Sequence, residues 1–400
     1  MHRVPLAIAL AILPLAAPAA ASTTRPPAVV GNSDAQDPSI SDDGRWVAFT
    51  SGASNLVAGD RNRAEDVFVR DRMAGTTRLV SASVHGGAGN GGSSAPTLSA
   101  SGRMLAFEST ATDLLPGQRP ADRSRVYAVD LSTGAVTLVA DGAQHPGISP
   151  DGEHVAYAGS YQQVYETDLR TGRTVLISRS PAGQRGKGSC SEATPSLSAD
   201  GNRVAFVCHT SNNLDPRHPG PLNADALYVR DVRQNMTTLD TATGSTSDPP
   251  NTFEFVPLVS VSRDGTAVAF HDDIGSSTDH DSYAIWHPDT GRHSWIPIGS
   301  NTLISGLAVS ADASVLAFND EYEGVGVFDR PVRAVQRCAG CARAGERGSL
   351  YYPSQVAITG DAATVAFTSR SALTTEDTND VEDVYTWNRE LDVVRLVSVG

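Results

Sequence analysis

A hydrophobic triplet returns seven times along the chain, each time behind a tight turn. The copies are Val47-Ala48-Phe49, Leu105-Ala106-Phe107, Val155-Ala156-Tyr157, Val204-Ala205-Phe206, Val268-Ala269-Phe270, Leu316-Ala317-Phe318 and Val365-Ala366-Phe367. Their central alanines stand about 48 to 64 residues apart, a period that suits blade-forming β repeats. In an extended strand successive side chains point to opposite faces, so each triplet offers a bulky face and a small one. A unit of this length cannot bury its own apolar faces and must stack on its neighbours.

The first repeat shows the whole unit. Pro38-Ser39-Ile40-Ser41 alternates as a short strand does, and Asp42-Asp43-Gly44 turns the chain. Arg45 to Thr50 form a second strand, Asp66 to Asp71 a third, and after Ala74-Gly75 the stretch Thr76 to Ser81 a fourth. A hydroxyl precedes every first turn, as Ser41, Ser99, Ser149, Ser198, Ser262, Ser310 and Thr359. Seven equivalent copies fit a turn cap, not a nucleophile. Repeats six and seven carry Ala313 and Ala362 in place of the turn glycine, which predicts a different turn type there. The pattern predicts an all-β, seven-bladed β-propeller with four antiparallel strands per blade. The blades run over about 37–81, 95–140, 145–178, 194–240, 256–297, 305–339 and 353–399.

Ile148-Ser149-Pro150-Asp151-Gly152 followed by Val155-Ala156-Tyr157 resembles the WD40-like PD40 repeat of TolB-type propellers. The longer form, Asn55-Leu56-Val57 leading to Asp60, Asn62 and Asp66-Val67-Phe68-Val69-Arg70-Asp71, is similar to repeats of secreted bacterial TolB-like proteins. The resemblance covers about residues 37 to 400 and implies protein–protein binding in the periplasm or outside the cell. The α/β domain that precedes the propeller in TolB has no counterpart here, so a TolB role in envelope integrity is not carried over.

Residues 1–21 combine Arg3, an apolar run and Ala19-Ala20-Ala21, the pattern of a cleaved secretory signal peptide. Export as a secreted or periplasmic monomer is the expectation, with residues 22–36 as a mobile linker. Val29 and Val30 compete with Leu396 to Val399 for the outer edge of the last blade, and register favours the C-terminal segment. No later stretch is long and apolar enough for a membrane span. The formal charge of −14 disfavours nucleic acid and favours cationic partners. An oxidising compartment predicts the disulfides Cys190–Cys208, across a hairpin, and Cys338–Cys341, a lone CxxC.

Candidate chemistry is sparse. Neither a G-x-S-x-G elbow with a following α/β domain nor an H-E-x-x-H is present. Asp60-x-Asn62 with Asp66 is matched in spacing by Asp377-x-Asn379 with Asp383, a candidate calcium set whose bland reading is an Asx-bonded turn. No other cofactor is implied. In an up-and-down blade the short turns share one end and the long connections the other. Binding is expected on the long-loop end, with Asp113, His209, His271, Asp279 and His280 as candidate ligand residues. The expected function is an exported binding module for a protein or another extracellular ligand. The alternative is an extracellular hydrolase or lyase at the channel mouth, which needs convergent carboxylates, His or Tyr.

Overall fold

The computed structural model describes residues 29–119, 123–190, 193–209, 213–218, 225–240, 258–273, 281–296, 304–320, 324–341 and 356–400. Asp279 and His280 lie outside these residues, as does the expected signal segment. The chain forms a seven-bladed β-propeller in which each blade is a four-stranded antiparallel sheet. Blade 1 comprises Ala35–Ile40, Trp46–Ser51, Asp66–Asp71 and Thr76–Leu79, paired in that order. The inner strands are Ala35–Ile40, Ser93–Leu98, Gln144–Ile148, Ser196–Leu197, Val259–Val261, Ile304–Val309 and Val356–Ile358. Each contacts the next and the last contacts the first, so the ring is closed. Among the described residues the one helical element is a short 3₁₀ turn, Ser160–Gln162.

The triplets pack as their alternation requires. Val47 and Phe49 face blade 7 and meet Ala366, Val384 and Val397, whereas Ala48 faces blade 2 and meets Leu105, Phe107 and Tyr127. Val47, Ala48 and Phe49 are all fully buried. Burial of one such Val or Phe side chain contributes about 1.5–3 kcal/mol.

The first turn of each blade is held by its hydroxyl. Ser41 Oγ donates to Asp43 Oδ1 at 2.6 Å and accepts from the Trp46 amide at 3.0 Å, and Asp43 Oδ1 accepts from the Arg45 amide at 2.9 Å. The same three contacts recur at Ser262, Asp264 and Ala267, and at Thr359, Asp361 and Thr364. The expectation of a different turn in blades 6 and 7 is corrected. Ala313 (φ 54°) and Ala362 (φ 60°) adopt the left-handed conformation that Gly44 (φ 65°) and Gly265 (φ 73°) adopt. The reason is the retained bonding: Ala313 N–H reaches Ser310 O at 3.0 Å, as Gly44 N–H reaches Ser41 O at 2.9 Å. The lattice around the turn holds alanine in a backbone region that glycine enters without steric cost.

Beside these turns a belt of backbone bonds runs from blade to blade. Asp42 N–H donates to Ala100 O, Ala100 to Pro150 O, Asp151 to Ala199 O, Ala199 to Arg263 O, Arg263 to Ala311 O, and Ala311 to Gly360 O. Pro150 has no N–H, and Asp151 takes its place in the belt. Arg263 of blade 5 forms an ion pair with Asp42 of blade 1, across the axis. A Cβ at Gly360 would lie 2.8 Å from the Asp42 carboxylate, so a larger residue there would push that group aside.

The chain ends complete the ring. The outer strand of blade 7 comes from the C-terminal part of the chain but is Val393–Leu396, sharing only Leu396 with the expected segment Leu396 to Val399. The N-terminal segment still contributes: Val30 bridges Val399, and Gly31 N–H donates to Ser398 O at 3.1 Å. Order therefore begins earlier than the expected 22–36 linker allows, because these backbone bonds tie residues 30 and 31 to blade 7. Cys190 is bonded to Cys208, and Cys338 to Cys341, as the sequence predicted. Both members of the first pair are buried in the core between blades 3 and 4.

Two stability measurements check this description. Ala313→Gly and Ala362→Gly are each expected to raise the melting temperature, by an amount worth about 0.5–1 kcal/mol, in calorimetry. A fall would show that the positive-φ turn is not strained. Chain-entropy arguments give the Cys190–Cys208 bridge, with its sequence separation of 18, about 3 kcal/mol, and the three-residue Cys338–Cys341 span about 2 kcal/mol. Paired Cys→Ala variants in denaturant unfolding should show that order.

Candidate functional site

The up-and-down topology gathers three kinds of chain segment at the end opposite the belt: the starts of inner strands, the ends of second strands and the starts of third strands. In blades 1 to 3 the inner strands enter through matched bulges, at Asp37-Pro38, Ala95-Pro96 and His145-Pro146. Asp37, Ala95 and His145 hold φ values of 55°, 52° and 53°, a left-handed backbone that non-glycine residues rarely adopt. An extra residue at a bulge re-aims the side chains beside it.

These segments bring together Asp34, Asp37, Glu65, Glu108 and Glu382, with Gln36, His145 and Arg370 beside them. Asp37 Oδ2 accepts from Thr50 Oγ1 at 3.0 Å and from the Ala95 amide at 3.3 Å. Glu108 Oε2 accepts from the His145 amide at 2.8 Å, and its Oε1 from Ser94 Oγ at 3.2 Å. Gln36 Nε2 donates to Glu65 Oε1 at 3.1 Å, and Asp34 Oδ1 accepts from the Glu382 amide at 2.9 Å. Burial, followed by the Asp37 and Asp34 carboxylates, pushes the Glu65 pKa up. Burial raises Asp37, with Glu108 adding to it and Thr50, the Ala95 amide and His145 opposing. Burial also raises Glu382, against the lowering influence of Thr368 and Arg370. Like charges crowded at a mouth favour a proton or an incoming cation.

The candidate calcium residues adopt a different arrangement. Asn62 Nδ2 donates to Asp66 Oδ2 at 2.7 Å and to Gly89 O, in the connection to the next blade, at 2.8 Å, while its Oδ1 accepts from the Ala64 amide. Ser81 Oγ donates to the second Asp66 oxygen. In blade 7, Asn379 Nδ2 donates to Gly31 O, in the segment that leads into blade 1, at 2.8 Å, Ser398 Oγ to Asp383, and Tyr385 Oη to Asp377. In blade 3 a single residue, Gln163, takes both roles, accepting from Ser178 Oγ and donating to Gly188 O at 2.9 Å. The Asp-x-Asn pairs therefore clamp a blade to the segment that leads into the next one. Asp60 is buried close to Asp66, and its charge adds to the burial that raises the Asp66 pKa.

The remaining candidates are scattered. Asp113 Oδ1 accepts from the Asn90 amide at 2.9 Å, which ties its loop to the connection between blades 1 and 2. His209 ends the second strand of blade 4, exposed, with its amide on Ser189 O. His271 lies on the strand Val268–Asp273. The structure does not bring Asp113 and His209 into the acidic cluster. Reading the sequence alone missed Asp37, Glu65, Glu108, His145 and Glu382. Two signals pointed to them: the repeated Glu-Asp-Val at Glu65 and Glu382, and the X-Pro dipeptides ahead of the inner strands.

The clamps carry a pH signature. Burial foremost pushes Asp66 up to about 7 and Asp383 to about 6. The folded state therefore holds these protons more tightly than the unfolded chain, and stability falls as pH rises from about 4 through 7. Thermal melts across that window should show the decline. A stability that instead climbs steadily to pH 7 would contradict buried, protonated clamps.

Comparisons with solved structures return propellers. TolB from Acinetobacter baumannii is 19% identical over 65% of this chain and 53% of its own, with a TM-score of 0.40, so the match spans about half of TolB. A chain of the mitotic checkpoint complex is 9% identical over 92% of this chain and 96% of its own, at a TM-score of 0.50. An oligogalacturonate lyase in complex with manganese is 14% identical over 90% and 89%, at 0.52. At these identities the likeness is one of fold. No protein-family model and no curated protein matches the chain.

Proposed function

We propose that this chain is an exported binding module that takes the cationic group of a protein or other extracellular ligand into the acidic mouth of its channel. The observation that carries the reading is the convergence of Asp34, Asp37, Glu65, Glu108 and Glu382 at the end with the long connections. At the opposite end the Asp42 and Arg263 charges are paired with each other and the belt amides have backbone partners, which favours the mouth as the place for a cation. A net charge of −14 steers cations toward it, within the short range that physiological salt allows. The two disulfides are compatible with a periplasmic or secreted location, and the resemblance to TolB-like repeats supports protein binding.

A second reading, acid–base catalysis by a hydrolase or lyase, is favoured by one observation. Carboxylates with raised pKa values share the mouth with His145. A carboxylate with a raised pKa keeps its proton to higher pH and is the better placed to act as a general acid.

Titration calorimetry with a lysine hexapeptide at low salt tests the binding reading. The Glu65→Gln/Glu382→Gln variant is expected to bind about tenfold more weakly, and affinity should rise with pH as the carboxylates ionise. Equal binding by this variant and the unaltered protein would refute the mouth as the site. Calcium is a proposed cation for the Asp60/Asp66 and Asp377/Asp383 pairs. A melting temperature that responds to calcium and chelator, and loses that response in Asp60→Ala/Asp377→Ala, would show these carboxylates exchanging amide partners for the ion.

A further inference from the structure

At the belt end, blade 3 differs from the other blades. Its first turn carries Asp151 and Glu153, and His154 opens the second strand, His154–Gly159. A ligand atom from each of the three lies within 4.8 Å of the others. Asp151 Oδ1 accepts from Ser149 Oγ and from the Glu153 amide at 2.9 Å, leaving Oδ2 for a ligand.

What sets this turn apart from an ordinary solvated one lies behind the histidine. Glu166, on the neighbouring strand Gln163–Asp168, is only 4% exposed, and its Oε1 sits 2.7 Å from His154 Nδ1. The other oxygen, Oε2, is buried without a hydrogen-bond donor. Gly201 of blade 4 covers the ring so closely that a Cβ there would lie 2.4 Å from His154 Cγ. The imidazole is thus fixed in orientation, with Nδ1 held by Glu166. A buried carboxylate on one imidazole nitrogen is the support that metal-bound histidines have, and it makes the other nitrogen a better donor.

We propose that Asp151, Glu153 and His154 form a site for a divalent transition-metal ion such as zinc, with Glu166 as the positioning residue. One imidazole and two carboxylates suit zinc and its neighbours better than calcium, which prefers oxygen ligands alone. Three protein donors leave a coordination position open to water or to a partner's side chain. The site stands apart from the acidic mouth, on the other end of the propeller, and does not depend on the function proposed for it.

The test is zinc titration of the oxidised full-length protein by calorimetry, with cobalt absorption as a report on coordination. One zinc per chain is expected. Glu153→Gln and Asp151→Asn should each weaken binding about tenfold or more, and Glu153→Gln, whose carboxylate takes no part in the turn, should leave the metal-free melting temperature unchanged. Glu166→Gln should weaken binding by about 10–100-fold and alter the cobalt spectrum. Glu65→Gln/Glu382→Gln at the mouth should bind zinc as the unaltered protein does. The two exposed carboxylates are the positions of choice, because His154 packs under Gly201 and its replacement would disturb folding as well as binding. No saturable zinc binding, or binding indifferent to Glu153→Gln and Asp151→Asn together, would overturn the assignment.

Discussion

Everything in this molecule depends on the convergence of seven sheets on one axis. Sheets arranged like spokes crowd at their inner ends, so the inner strands carry small residues on one face: Ser39, Thr97, Gly147, Ser196, Ser260, Ala308 and Ala357. At Gly147 the approach is so close that a Cβ would lie 2.0 Å from Pro195 O. Several of these residues also bind sideways, as when Ser39 Oγ accepts from the Leu98 amide and Ser196 Oγ from the Val261 amide. Crowding at the axis thus becomes bonding around it. The belt beside the first turns repeats the same device with backbone groups alone, and the clamps of Asn62, Gln163 and Asn379 repeat it further out.

A ring fixed in this way has two unlike ends. At the belt end, side chains are occupied with turn geometry: a hydroxyl caps, an aspartate accepts, and a residue in left-handed conformation completes the hairpin. At the opposite end the inner strands of blades 1 to 3 enter through bulges with strained backbones at Asp37, Ala95 and His145. Strain of this kind persists only where surrounding structure imposes it, and it tends to gather at binding sites. Here it coincides with carboxylates whose pKa values are raised by burial and by one another. A rigid ring supports the cost of crowding like charges, and a cationic ligand relieves it.

The fold was legible because its evidence repeats. Seven triplets behind seven capped turns give period, strand order and closure together, and each copy corroborates the others. The turns of blades 6 and 7 were misread because alanine carries no visible mark of a left-handed backbone; only the bonding from Ser310 and Thr359 reveals it. The Asp-x-Asn spacing was visible, but its role turns on which way the Asn62 amide points, a matter of tertiary contact with Gly89. The acidic mouth was out of reach for a different reason. Glu108 ends a second strand, Glu65 and Glu382 precede third strands, and Asp37 and His145 sit in inner-strand bulges. Only ring closure makes neighbours of residues 37 and 382.

Reception of the ligand by the mouth at the long-connection end is tested most sharply by a backbone-amide shift map. The protein is titrated with a lysine hexapeptide at low salt. Shifts are expected at Asp34 to Asp37, Glu65, Glu108, His145 and Glu382. Shifts confined to the turns around Asp43, Asp200 and Asp264 would place the ligand at the belt end instead and contradict the proposal.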